Sequence, residues 1–216
     1  MRIFWEQLPS GTRRFGVELG RKRAQAPAAP RRTLLLGGAR SGKSATAERM
    51  LTDRQDVLYV ATGGTREGDE EWARRIALHR ERRPAPWRTA ETCALEPLLG
   101  DRTDPAPVLV DCLSLWLTAV MDEVGAWDDE AWYRGGARDA LRARTRALVE
   151  AWAASPRELV GVSNEVGSGV VPATAAGRRF RDELGRLNAA VAGASEQVLL
   201  VVAGQVLPLR GPGAPR

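Results

Sequence analysis

The chain has 216 residues, 44% of them hydrophobic and 27% charged, which bounds it to one globular domain with room for an extension and excludes a fibrous or fully disordered chain. No apolar run approaches the ~20 residues of a membrane span, and its two cysteines, Cys93 and Cys112, lack metal-ligand spacing and fit a reducing cytoplasm, not a disulfide scaffold. The net charge of +5 is carried almost wholly by arginine interleaved with Asp and Glu, without the basic stripe or aromatic platform that nucleic-acid binding requires.

In chain order, residues 1–30 carry Arg13, Arg14, Arg21, Lys22 and Arg23 but no apolar h-region, so they read as a flexible basic extension and not as a secretory signal. The first core strand is expected near Arg32 and includes Leu34, Leu35 and Leu36. Val57 to Ala61 reads as a second buried strand, and Asp69 to Arg82 as a charged helix with Trp72, Ile76 and Leu78 as apolar contacts. Val108 to Asp111 is a third strand, followed by a helix from Leu113 to Val120. Asp128 to Ala154 reads as one long helix stopped by Ser155-Pro156. Glu158 to Ser163 is a fourth strand, and Thr174 to Ala194 is a helix with Phe180, Leu184, Leu187 and Val191 in one stripe. Val198 to Ala203 is a fifth strand, turned by Gly204-Gln205 into a short last strand, Val206 to Leu209. Residues 31–210 thus make a single domain, and 211–216 a frayed tail. Short apolar strands separated by amphipathic helices imply crossover connections, hence a mostly parallel α/β sheet flanked by helices with a short antiparallel C-terminal strand.

The most informative stretch is Gly37-Gly38-Ala39-Arg40-Ser41-Gly42-Lys43-Ser44. It follows an apolar strand and opens a helix, the required context of G-x-x-x-x-G-K-[ST]. Such a loop curls its backbone N–H groups around phosphate oxygens, and the helix N-terminus adds partial positive charge. Lys43 reaches the outer phosphates, and the Ser44 hydroxyl completes the shell of a magnesium ion. The fold expected is therefore of the P-loop NTPase, RecA-like kind. Nucleoside triphosphate binding follows; the reaction does not.

Two residues beyond the loop stand out. Asp111 closes an apolar strand, where a carboxylate approaches magnesium directly or through water; the alternative is a cap on the next helix. His79, the only histidine, shares a helix face with Arg75, Arg82 and Arg83. Neighbouring cations disfavour its protonation, and a neutral imidazole can attack phosphorus. On these residues alone, His79 is either a nucleophile or an ordinary surface residue.

The chain resembles the bifunctional adenosylcobinamide kinase/adenosylcobinamide-phosphate guanylyltransferase family of cobalamin biosynthesis, from about Thr33 to Arg210. Besides the phosphate loop, the blocks that carry the resemblance begin with Tyr59-Val60-Ala61-Thr62, with the run from Arg75 through His79 to Pro84, and with Trp87-Arg88-Thr89-Ala90-Glu91. They continue with Val110 to Leu117, Ser163 to Pro172, and Phe180 to Asn188. The resemblance implies that His79 is the guanylyl acceptor. It implies nucleotide contacts from Gly37, Gly38, Ala39, Arg40, Ser41, Gly42, Lys43 and Ser44. Further contacts are implied from Thr62, Gly63 and Gly64, from Arg80, Glu81, Arg82 and Arg83, and from Glu91 and Asp111. The implied substrates are adenosylcobinamide, its phosphate, ATP and GTP, with magnesium between Ser44 and Asp111. The implied assembly is a homotrimer. A kinase alone, with His79 idle, is the competing expectation.

Overall fold

The computed structural model describes residues 2–7, 13–18, 31–64, 68, 70, 74, 77, 81 and 83–214. Its main sheet has seven strands: β3 (Arg32–Gly37), β4 (Leu58–Ala61), β5 (Arg88–Glu91), β6 (Val108–Asp111), β7 (Leu159–Asn164), β8 (Gln197–Val202) and β9 (Gln205–Arg210). Their order is β5-β4-β6-β7-β3-β8-β9. All neighbours run parallel except β8 and β9, which form an antiparallel hairpin. β1 (Arg2–Gln7) and β2 (Arg13–Glu18) pair antiparallel in a sheet of their own, Trp5 opposite Phe15.

The helices are α1 (Lys43–Met50), α2 (Leu95–Gly100), α3 (Leu113–Glu123), α4 (Asp129–Tyr133), α5 (Ala137–Ala154) and α6 (Ala175–Gly193). Alternation along the strands sorts the core into two layers. Leu34, Leu36, Val60 and Val110 face Leu99, Trp116, Leu148, Trp152 and Leu187 from α2, α3, α5 and α6. Leu35, Tyr59, Leu109 and Val162 face Ala47 of α1, together with Leu51 and Trp87. Strands buried on both faces explain the near-continuous apolar runs in the sequence.

Most expected elements stand within a residue or two of their places. The expected helix from Asp128 to Ala154 is two helices instead. The first ends at Arg134, and Gly136, at φ 84°, adopts the left-handed conformation that starts the second. Ser155 does terminate α5, and Thr174 caps α6 by accepting from the Gly177 N–H at 3.1 Å. β5 and α2 were not expected: β5 is an edge strand with three of its four residues exposed, and α2 is only six residues long. In the expected helix from Asp69 to Arg82, Glu70, Arg74, Ala77 and Glu81 are helical. Trp72, Ile76, Leu78 and His79 lie outside the described residues.

Candidate active site

In parallel α/β sheets ligands bind beyond the carboxyl ends of the strands. Register brings Glu91, Ala61 and Asp111 into one row across β5, β4 and β6. Gly37 is paired with Asn164 of β7 at the same edge. One strand, β7, separates the phosphate-loop strand from the strand that ends in Asp111.

The phosphate loop is held tightly from beneath. A Cβ on Gly37 would come within 2.5 Å of the Val201 carbonyl and 2.6 Å of Ser41 Oγ, so only glycine fits. Arg40 and Gly42 both have positive φ, 58° and 96°, which curls the chain before α1. The β8–β9 turn grips the loop: the Gly204 N–H donates to the Ser41 carbonyl at 2.9 Å. Lys43 is buried, and its ammonium donates to the Gly38 carbonyl at 3.0 Å. Ser41 Oγ is buried without a hydrogen-bond partner among the described residues, as expected of a group whose partner is a ligand. Ser44, the first-turn residue after Lys43, is half-buried.

Asp111 is half-buried and does not cap α3, whose N-cap is Cys112. Its Oδ2 accepts from the Tyr59 hydroxyl at 2.8 Å. The Arg83 guanidinium lies 3.7 Å from the Tyr59 ring centroid and donates to Thr89 Oγ1 at 2.9 Å. Burial, reinforced by the Asp111 charge, pushes the Tyr59 phenol far above its ordinary pKa, against the opposing charge of Arg83. The phenol is thus a permanent donor.

Thr62 is buried, and its hydroxyl accepts from the Cys112 N–H at 3.0 Å and donates to the Cys112 carbonyl at 2.7 Å. That side chain locks β4 to β6, and the backbone adds to the lock: the Thr62 N–H donates to the Asp111 carbonyl at 3.3 Å and its carbonyl accepts from Cys93 Sγ at 3.3 Å. The Asn164 amide donates to Ser114 Oγ at 2.8 Å, and Ser114 Oγ also meets Cys112 Sγ at 2.9 Å. Asn188 of α6 donates to the Asn164 carbonyl at 3.0 Å and accepts from Ser163 at 2.6 Å. Burial raises the Cys112 thiol above its ordinary pKa, so it acts as a neutral spacer. Glu91 and Glu81 are exposed, as are Gly38, Ala39 and Arg40. Gly63 and Gly64 follow Thr62 at the same edge, Gly64 at φ 58°. Arg75, Arg80 and Arg82 lie with His79 outside the described residues.

Sequence reasoning did not assign Tyr59 or Ser114. The signal for Tyr59 was a hydroxyl in an otherwise apolar strand, since a buried phenol needs a partner. For Ser114 no pattern in the sequence pointed to Asn164, fifty residues away.

Residues 33–209 match the family model for cobinamide kinase / cobinamide phosphate guanyltransferase. The chain belongs to this family. It is 43% identical over 183 residues to the bifunctional adenosylcobalamin biosynthesis protein CobP of Pseudomonas aeruginosa, covering 83% of this chain and 98% of that one. It is 40% identical over 174 residues to the corresponding Escherichia coli protein, CobU, covering 79% of this chain and 95% of that one. Like the family, the chain is a cobinamide kinase and a cobinamide phosphate guanylyltransferase of cobalamin biosynthesis. A structural neighbour is a prototypical ATPase from the type III secretion system of pathogenic bacteria, at TM-score 0.51 and 13% identity over 78% of this chain and 50% of that one. That likeness bears on the fold alone and not on the reaction.

Proposed function

We propose that the chain phosphorylates the aminopropanol hydroxyl of adenosylcobinamide with ATP or GTP and then attaches GMP to the product through His79, yielding adenosylcobinamide-GDP. The observation that carries the reading is the phosphate loop, with buried Lys43 and unpartnered Ser41 Oγ, at the same sheet edge as Asp111.

In the first step Lys43 leaves the Gly38 carbonyl for the terminal phosphates, and the loop N–H groups hold the remaining oxygens. The donors fit magnesium: Ser44 offers a hydroxyl and Asp111 a carboxylate, both hard oxygens, and this ion is commonly held by one or two carboxylates plus substrate phosphates. When bound, magnesium neutralises charge on the transferred phosphoryl group. Tyr59 keeps the Asp111 carboxylate oriented through its hydrogen bond.

In the second step an imidazole nitrogen of His79 attacks the α-phosphorus of GTP, and pyrophosphate leaves. A phosphate oxygen of the cobinamide phosphate then attacks the same phosphorus and frees the histidine. A covalent nucleophile divides one displacement into two easier ones. Arg80, Glu81, Arg82 and Arg83 are the proposed contacts beside it, and Thr62, Gly63, Gly64 and Glu91 those along the sheet edge.

A homotrimer is the assembly proposed. Val170, Val171, Leu207 and Leu209 are exposed in the single chain and supply apolar surface for it. No helix among the described residues is long and apolar enough to cross a membrane. Cys93 and Cys112 are unpaired, which supports the cytoplasm as the site of action.

The test separates the steps. Adenosylcobinamide with magnesium-ATP should give the phosphate, and α-labelled GTP should label the protein. Phosphorylation without any labelling would leave a kinase alone.

A further inference from the structure

A cavity of about 280 Å³ opens between α4, α5 and α6, and none of its lining residues belongs to the phosphate loop or to the Asp111 cluster. Five arginines line it against two carboxylates, Asp182 and Glu183. Pairing decides which of those charges remain available. Arg179 is buried, pairs with Asp129, donates to the Ala126 carbonyl and lies 4.8 Å from the Trp132 ring centroid. Arg186 pairs with Glu183 at 2.7 Å, and Arg181, outside the lining, takes Asp182 at 2.9 Å.

The other three arginines pair with no carboxylate among the described residues. Arg178 donates to the Pro172 and Ala173 carbonyls at 2.9 and 2.7 Å, which fixes its position without cancelling its charge. Arg138 and Arg142 make no hydrogen bond or ion pair with the described residues, and their spacing of four puts them on one face of α5. Three guanidinium groups from two helices therefore line one concavity with no carboxylate paired to them among the described residues. Like charges so placed raise the local potential and attract an anion. Planar guanidinium forks match phosphate oxygens better than any other common side chain.

We propose that this cavity binds a phosphate-type anion carrying at least two negative charges. The volume suits a diphosphate and not a corrinoid. Free inorganic phosphate, free pyrophosphate and the phosphate chain of a nucleotide share that chemistry. Tyr133, 71% exposed at the rim, would add a ring for a nucleotide base. The inference stands apart from the roles assigned to the phosphate loop.

The test is calorimetric titration of the full chain with pyrophosphate, in a Lys43→Ala background that weakens the phosphate loop. One binding event should persist there. It should weaken about tenfold or more in the added double variant Arg138→Gln/Arg142→Gln, since each charge-assisted contact is among the strong ones. It should also weaken with added salt. Both arginines are exposed, so the double variant should unfold at the unchanged temperature. The wild-type chain supplies a second reading: a two-site isotherm reduced to one site by the same pair of substitutions. Parallel titrations distinguish the sources. Equal affinity for pyrophosphate and GTP assigns the phosphates alone, and tighter GTP binding that Tyr133→Ala removes assigns a nucleotide. No pyrophosphate bound to the Lys43→Ala chain, or binding indifferent to Arg138→Gln/Arg142→Gln, overturns the proposal.

Discussion

The Tyr59 hydroxyl donates to Asp111 Oδ2 at 2.8 Å, across the β4–β6 ladder and two positions before the register row that holds Asp111. It joins a buried core residue to the carboxylate proposed to meet the metal. Tyr59→Phe removes the donor and keeps the ring beneath Arg83. We expect kinase kcat to fall about tenfold, roughly the 1.4 kcal/mol of one charge-assisted hydrogen bond, with nucleotide KM nearly unchanged. An unaltered kcat would remove Asp111 orientation from the mechanism. The pH sign follows from the raised phenol pKa. Tyr59 is protonated in the fold while an unfolded tyrosine ionises near pH ~10. Its contribution to stability is therefore full below that pH and is lost as pH rises beyond it. The stability gap between wild type and Tyr59→Phe should shrink above pH ~10.

Lys43 is buried with its ammonium on the Gly38 carbonyl, so its charge is already placed within the loop. Lys43→Ala should lower ATP and GTP affinity by about a hundredfold and nearly abolish phosphorylation of cobinamide, because the loop loses the ammonium that reaches the outer phosphates. Direct nucleotide titration and a turnover assay check both. Wild-type turnover in this variant would sink the phosphate-loop assignment.

Arg157 ties three segments together away from the site. Its side chain is 2% exposed, donates to the Ala106 and Leu98 carbonyls at 2.8 and 3.2 Å, and pairs with Asp104 at 3.0 Å. Arg157→Leu should cost about 3 kcal/mol, the scale of breaking a buried ion pair, read as a lowered midpoint in denaturant. Burial opposes the Asp104 charge, but the Ala106 N–H and the guanidinium groups of Arg88 and Arg157 outweigh it and hold the carboxyl below its ordinary pKa. A depressed carboxylate stabilises above its unfolded pKa and ceases to do so as pH falls through the folded value. Asp104→Asn should therefore weaken the fold at pH 7 and make little difference in strong acid. A penalty independent of pH would show that shape and not charge is at stake.

Much of this was legible in the sequence because period and punctuation agreed. Leu34-Leu35-Leu36 before a glycine-rich loop fixed both a strand and its ligand end, and the Phe180, Leu184, Leu187 and Val191 stripe fixed the buried face of α6. What escaped were features decided by tertiary partners. Gly136 reads as a tolerable glycine inside a helical pattern until its positive φ is seen. β5 lacks an apolar run because it is an edge strand, held by β4 on one side alone. Tyr59–Asp111 and Ser114–Asn164 are contacts over about fifty residues, which no local pattern encodes. The Glu165 carboxylate accepts from the Gly167 N–H at 2.6 Å and so folds its own loop, another contact the sequence pattern does not show.

Residues 1–30 contain no site motif, and β1 pairs only with β2 in a sheet separate from the catalytic one. The core is anchored just after them. The Leu159 N–H donates to the Arg31 carbonyl at 2.6 Å. A chain starting at Arg31 should keep both activities and unfold within about 2 °C of the full one, less than a 1 kcal/mol change produces in a domain this size. Loss of soluble protein would show that the extension packs on the core.

The guanylyl step is proposed to rest on His79. If it is the acceptor, incubation with magnesium and GTP should add one GMP per chain, visible by mass spectrometry of the intact protein. The bond should be a phosphoramidate, labile in acid and comparatively stable in base, because phosphorus is joined to an imidazole nitrogen. His79→Ala should abolish both the adduct and the conversion of cobinamide phosphate. Phosphorylation of cobinamide should persist at least in part, since the proposed phosphoryl transfer relies on Lys43, Ser44 and magnesium and forms no covalent histidine. The attacking form is the neutral imidazole, so labelling should fall as acid protonates the ring. An adduct surviving in His79→Ala, or none in wild-type protein saturated with magnesium-GTP, would refute the assignment and leave a kinase alone.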